Sequence, residues 1–155
     1  MQWVETTTTV RFNEIDQWGI AWYGHYFAWF ELGRMKVLER FALLPKDFAE
    51  QGLIAPVVRA SCDYLKSALT NDTVIIRTHL AKPQTTSLTF QFEIMRQADR
   101  DLLARGETLQ VLTRLDGVMI YKLKGELKER VESMLRFFWP QHSRLIDNVN
   151  ARSAD

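Results

Sequence analysis

VRFNEIDQWGIAWYGHYFAWFELGR, residues 10–34, ends a strand, places an acid, turns through a glycine and opens a helix crowded with aromatic side chains. Just before it, Val4, Thr6, Thr8, Val10 and Phe12 fall at period two, and the β-branched threonines suit a strand. Residues 13–19 read as a loop, with Gly19 free to take a positive φ or to admit a close backbone approach. Over about 24–41, Tyr26, Phe30, Gly33, Val37 and Phe41 recur at helical spacing, and Phe27 and Leu38 widen the stripe, so the helix is expected to be well buried. Gly33 costs a helix about 1 kcal/mol relative to alanine. Its presence therefore predicts close packing against a sheet or a second copy of the chain. Pro45 disfavours helical geometry at Leu44 and ends the helix. Asp16 thus stands ahead of a helix N-terminus, where backbone N–H groups stabilise negative charge.

Outward from this stretch the pattern changes to strands. Residues 46–52 read as a short helical turn or loop. Four strands follow, over 57–65, 73–81, 86–97 and 103–115, with Gly106 a candidate bulge. Val74, Ile76, Thr78 and Leu80 share one face of the second, and Leu88, Phe90, Phe92 and Ile94 one face of the third. Asn71-Asp72 and residues 98–101 are turn signals. Asp116-Gly117 is a hairpin turn, and 118–123 reads as a short extra strand or an extension. Residues 125–139 read as a helix with Leu127, Val131, Met134, Leu135 and Phe138 on one face, stopped by Pro140. The polar tail, 141–155, is expected to fray. Strand, long helix, then antiparallel strands is an α+β order. It makes one domain over 1–140 whose open sheet face and edges call for a dimer or tetramer.

Composition bounds the function. The chain has 155 residues, 46% hydrophobic and 25% charged, as expected of one globular domain. A net charge of +1 argues against bulk binding of nucleic acid. The single cysteine, Cys62, excludes a disulfide framework and makes a cytoplasmic location the expectation. No apolar run reaches the roughly 18–20 residues of a membrane span, and the N-terminus lacks the pattern of a signal peptide. Three histidines and one cysteine make no metal site of recognisable spacing.

The element order and residues 10–34 resemble the hotdog fold, and more narrowly the 4-hydroxybenzoyl-CoA thioesterase family, which includes the short-chain acyl-CoA thioesterases associated with the Tol–Pal system. The residues that carry the likeness are Phe12, Asp16, Gly19, Ile20, Ala21, Trp22, Tyr23 and Tyr26. The run Ala60-Ser61-Cys62-Asp63-Tyr64-Leu65-Lys66-Ser67-Ala68 resembles the family's second strand and its exit. His25 stands where the family usually has Asn, and Gln17-Trp18 replaces smaller residues, so Trp18 is a candidate to narrow or cap the pocket. The resemblance implies an antiparallel sheet of about five strands around one long helix, here with an added C-terminal helix. It also implies hydrolysis of an acyl-CoA or acyl-carrier-protein thioester to acid and thiol, with no metal or redox cofactor.

From spacing alone, a capping or loop-structuring role is the plainer reading of Asp16; the resemblance makes it the catalytic acid, as nucleophile or general base. The backbone N–H of Tyr23, with Gly24 beside it, becomes the oxyanion donor. Trp18, Gly19, Trp22, His25, Tyr26 and Lys66 are the candidate substrate-binding residues, Lys66 for the coenzyme A phosphates. Glu31 is the rival acid, for which a structural role is favoured. Glu14 reads as a solvated loop acid and Cys62 as a packed strand residue. Two other functions fit the same residues: a hydratase or dehydratase acting on acyl thioesters, and a non-catalytic acyl-thioester-binding module.

Overall fold

Strand alternation puts one row of side chains on each sheet face, and the computed structural model, which describes residues 1–83 and 87–142, shows where each row goes. β1 (Val4–Thr9), β3 (Val57–Tyr64), β4 (Thr73–Leu80), β5 (Leu88–Arg96) and β6 (Leu102–Gln110) form one antiparallel sheet in the order β1-β4-β5-β6-β3. β2 (Leu53–Ile54) pairs with β7 (Thr113–Arg114) as a separate small ribbon. Helix α1 (His25–Arg40) packs on the sheet, α2 (Pro45–Ala49) follows it, and α3 (Gly125–Phe138) closes the order.

Register aligns the buried rows. Phe92 lies opposite Thr78 on one side and Gly106 on the other. Its ring stacks on Phe30 of α1 with centroids 4.5 Å apart and planes 10° from parallel. Two glycines allow this approach. A Cβ on Gly33 would sit 2.3 Å from Thr78 Oγ1 and 2.6 Å from Ile76 Cγ2, and one on Gly106 would sit 2.6 Å from the Phe30 ring. Gly33 therefore meets the sheet of its own chain. Gly106 is no bulge: it pairs in register with Cys62 and Phe92, and the irregularities fall at Val57/Arg59 and Ile94/Met95. On the outer face, Arg77 joins Glu5 at 3.2 Å and Glu93 at 2.5 Å across three strands.

Several expectations need correction. The strand expected over 103–115 stops at Gln110, because residues 113–114 turn away to pair with Leu53–Ile54. The segment 118–123 makes one isolated bridge, Thr113 to Met119, rather than a strand. Phe12 does not continue β1: the chain leaves the sheet after Thr9 into a 3-10 turn over Phe12–Glu14, and Phe12 is 84% exposed. α1 ends at Arg40, ahead of Pro45, with Ala42 at φ 53°; Pro45 instead opens α2. Trp29 is buried and Phe27 exposed, so the inward face of α1 is turned slightly from the expected stripe. The tail beyond 142 and the start of the strand expected at 86 lie outside the described residues.

Sequence periodicity announced α3 but not its seat. The helix docks on the end of β4 and on the C-terminal end of α1. Trp139 Nε1 donates to the Leu80 carbonyl at 2.9 Å, and Arg130 donates to the Ala42 carbonyl at 2.9 Å. Arg40 lies over the Phe137 ring at 4.4 Å. Beneath this seat His79 is fully buried among Trp3, Phe138 and Trp139, with its Nδ1 2.7 Å from the Gln2 carbonyl.

Two measurements test this packing. Gly33→Ala gains helix propensity, yet it is expected to lower the unfolding free energy by about 1–3 kcal/mol in urea, because its methyl group overfills the contact with β4; an unchanged midpoint would contradict the packing. Burial, reinforced by the N-terminal ammonium, pushes the His79 imidazole below its ordinary value. The folded protein then binds fewer protons than the unfolded chain. Stability present above the ordinary histidine value of about 6.5 is lost as the pH falls toward the depressed folded value. Comparing urea midpoints across that window, His79→Gln should show the shallower acid decline.

Candidate active site

Glu14 sets the geometry of the loop that carries Asp16. It was expected to be a solvated acid, but it is only 6% exposed. One oxygen accepts the Arg11 N–H at 2.7 Å and the other the Trp29 indole N–H at 3.4 Å. Its carbonyl accepts the Trp22 N–H at 2.8 Å. A buried carboxylate is tolerated only when hydrogen-bonded, and here the bonds join the 3-10 turn, the approach to α1 and the second turn of α1 itself. Between Glu14 and Trp22 the chain makes a miniature hairpin, with Ile15 bridged to Ala21. Asp16 N donates to the Ile20 carbonyl at 2.9 Å, and Gly19 N to the Asp16 carbonyl at 3.1 Å. Gly19 takes φ +76°, the positive value for which a glycine is suited.

Asp16 Oδ1 accepts the Trp18 N–H at 2.7 Å, an Asx turn that orients the carboxylate. Asp16, Ile20, Ala21, Tyr23, Tyr26, Tyr64, Leu65, Lys66 and Ser67 line one cleft of about 300 Å³. Two segments distant in sequence thus converge. They are tied by the Ala21 N–H to the Ala68 carbonyl at 2.9 Å and by the Ala68 N–H to the Tyr26 hydroxyl at 3.3 Å. Arg96 braces the second segment through the Ser67 carbonyl at 2.8 Å and Asp72 at 2.9 Å.

The helix N-terminus faces this convergence. His25 N donates to the Trp22 carbonyl at 2.9 Å, and Phe27 N to the Gly24 carbonyl at 3.2 Å. Among the described residues, the amides of Tyr23 and Gly24 donate to no backbone carbonyl. Such N–H groups, at the positive end of a helix, can bind an oxyanion. Burial pushes the Tyr26 hydroxyl above its ordinary value, and the Tyr64 hydroxyl is pushed up to about 12 by the same cause. Both stay protonated donors at neutral pH.

Of the sequence candidates, Asp16, Tyr23, Tyr26 and Lys66 share the cleft. Gly19, Trp18, Trp22 and His25 are not among its lining residues. Gly19 shapes the turn. Trp18 stands at the hairpin tip, 79% exposed. Trp22 lies over Gly24, and a Cβ there would meet the indole at 2.2 Å; its ring also meets His25 edge-on at 5.5 Å. Lys66 is held by Asp101 at 2.7 Å. Glu31 lies elsewhere, paired with Arg34 at a second cavity of about 220 Å³ lined also by Phe27, Phe30 and Thr108. The cleft residues not among those candidates are Ile20, Ala21, Tyr64, Leu65 and Ser67. Ile20 and Ala21 lay inside the 10–34 stretch, and the signal for the other three was present in the run from Ala60 to Ala68, of which Lys66 alone was singled out.

A model of the thioesterase-like superfamily matches residues 10–133. YneP of Bacillus subtilis (strain 168), whose name proposes an acyl-CoA thioesterase, is 32% identical over 69 residues, 44% of this chain and 50% of its own length. The chain thus matches half the length of that relative. A 1,4-dihydroxy-2-naphthoyl-CoA thioesterase from Synechocystis superposes with a TM-score of 0.77 at 16% identity, covering 86% of this chain and 96% of that one. A DHNA-CoA thioesterase from Staphylococcus aureus gives 0.73 at 23%, covering 97% and 93%. A 4-hydroxybenzoyl-CoA thioesterase variant solved with 4-hydroxybenzoyl-CoA gives 0.73 at 19%, covering 84% and 99%. At these identities the likeness shows the fold, which is the hotdog fold implied by residues 10–34.

The Glu14 clasp has a direct test. Glu14→Gln sets an amide N–H₂ against the N–H of Arg11 or of Trp29, so the variant should lose about 1–3 kcal/mol of unfolding free energy. A shift in Trp29 fluorescence should accompany the loss, and stability equal to that of the parent would contradict the clasp.

Proposed function

The chain belongs to the thioesterase-like superfamily, and from that premise we propose that it hydrolyses an acyl or aroyl thioester of coenzyme A, or of an acyl carrier protein, to a free acid and a thiol. The observation that carries the reading is the cleft that Asp16 shares with Tyr23, at a helix N-terminus where, among the described residues, the Tyr23 amide donates to no backbone carbonyl. Asp16 attacks the thioester carbonyl or draws a proton from an attacking water. The N–H groups of Tyr23 and Gly24 receive the charge that develops on the carbonyl oxygen. A thiol leaves with a pKa near ~8.5, against roughly 16 for water, so the reaction calls for no metal or redox cofactor and no strong general acid.

Ile20, Tyr26 and Leu65 give the acyl group apolar contact in the cleft, with Trp22 and His25 at its approach and Trp18 on the hairpin above. Lys66, already bonded to Asp101, meets the coenzyme A phosphates by exchanging or sharing that partner. β3 is the sheet edge away from β1, and its residues are almost all exposed. An edge of eight residues with free backbone groups supports pairing with a second copy, and we take the enzyme as a homodimer or homotetramer in the cytoplasm. Among the described residues no helix is long and apolar enough to cross a membrane.

A panel of acyl-CoA and acyl-carrier-protein thioesters, read by thiol release with 5,5′-dithiobis(2-nitrobenzoate), is expected to show turnover. Asp16→Asn keeps an acceptor for the Trp18 N–H, so the hairpin should survive while kcat falls by about 10²–10⁴. Absorbance change of an enoyl thioester without thiol release would instead point to a hydratase, and binding without turnover to a carrier module.

A further inference from the structure

Phe27, Phe30, Glu31 and Arg34 recur at helical spacing, which puts all four on one face of α1. Thr108 stands two residues beyond Gly106 on β6 and so shares its sheet face, the one against which Phe30 packs. Together with Phe92 these side chains line the cavity of about 220 Å³, which has no lining residue in common with the Asp16 cleft. Its walls are mainly apolar, and three of the residues that form them are phenylalanines. Two polar side chains that interrupt them are buried. Arg34 is 9% exposed and Thr108 7%, and among the described residues neither the Arg34 Nε nor the Thr108 hydroxyl has a hydrogen-bond partner. A buried polar group left unpaired is costly, so the two together call for an occupant.

We propose that this cavity is a second binding site, one that takes a small carboxylic acid with an apolar body. A guanidinium only donates and a threonine hydroxyl can donate, so the missing partner is an acceptor. A carboxylate suits both groups: it takes the Nε–H and an Nη–H of one guanidinium at once, and it keeps a lone pair for Thr108. Arg34 is paired with Glu31, three residues back on the same helix, whose side chain is half exposed. Glu31 can turn into water and give up its place, because the incoming carboxylate replaces it and the guanidinium stays paired. The phenylalanine walls receive the rest of the ligand. At about 220 Å³ the cavity is smaller than the roughly 300–1,000 Å³ of drug-sized sites, which limits the body to a phenyl ring or a short alkyl chain. The site stands whether or not the Asp16 cleft hydrolyses thioesters.

Benzoate and hexanoate, with benzamide and hexanamide as uncharged counterparts, are titrated into the protein and followed by calorimetry and by thermal shift. The acids are expected to bind with a Kd of about 1 mM or tighter, and about tenfold more tightly than their amides. Thr108→Val keeps the side-chain shape and removes an unpaired hydroxyl. Its thermal midpoint should match or exceed the parent's while acid binding weakens by about fivefold. Arg34→Lys keeps the charge but loses the fork, and should weaken binding by about tenfold or more. Glu31→Gln removes the competing carboxylate and should tighten binding by about two- to fivefold. Asp16→Asn should bind the acids as the parent does. The proposal is overturned if neither acid shows saturable binding up to about 10 mM, or if Thr108→Val or Arg34→Lys keeps the parent's affinity. Amides that bind as tightly as the acids overturn the carboxylate class. Loss of binding in Asp16→Asn would put the acids in the cleft instead, and that too overturns it.

Discussion

The buried carboxylate of Glu14 is the constraint on which the rest of the site depends. It gathers the Arg11 amide, the Trp29 indole and, through its own carbonyl, the Trp22 amide. These three belong to the end of the first-strand segment, the body of α1 and the approach to α1. Burying the group without all its bonds would cost several kcal/mol, so the three pieces are strongly coupled. Once both ends of the intervening chain are held, residues 15–21 have little choice but a tight hairpin, and Asp16 is placed at its shoulder.

A second constraint sits below. α1 can settle on the sheet only because Gly33 and Gly106 leave room for Thr78, Ile76 and Phe30. The stacked pair Phe30 and Phe92 then fixes the height of the helix over the strands. From that position the N-terminus of α1 faces the end of β3, where Tyr64 reaches back to the Tyr23 carbonyl. The glycines thus do two jobs at a distance. They build the core, and they bring a helix end into reach of a strand end to frame the cleft. Packing of this kind tolerates little adjustment, since protein interiors are near crystal density.

Polar groups around the cleft are mostly committed to holding it. Arg96 spans Asp72, Asp99 and the Ser67 carbonyl. Lys66 is bonded to Asp101, and Tyr26 receives the Ala68 amide. Among the described residues, the Tyr23 and Gly24 amides stand apart, with no backbone carbonyl as partner. On the proposed reading these amides are the oxyanion donors, and a braced surround then means little reorganisation as charge develops on a bound carbonyl.

Much of the fold was legible from periodicity. The 3.6-residue pattern in 24–41 and 125–139, the two-residue alternation of the strands, and turn residues such as Asn71 at φ 67° and Gly117 at φ 85° are local properties, and they fall where local physics puts them. Asp16 and Tyr23 could be singled out as candidates because one short run around Gly19 carries both, and the structure puts both in one cleft. What the sequence could not contain was any relation set by contact. Glu14 looks like one more loop acid until the Trp29 indole is seen above it. Gly106 looks like a bulge until Phe30 fills its place. Tyr64 is one aromatic residue in an exposed strand until the sheet order brings its hydroxyl to the Tyr23 carbonyl, 41 residues away. Secondary structure follows from each residue's immediate neighbours along the chain. The cleft depends on which side chains share a space, and that is decided only when α1 has packed against the sheet.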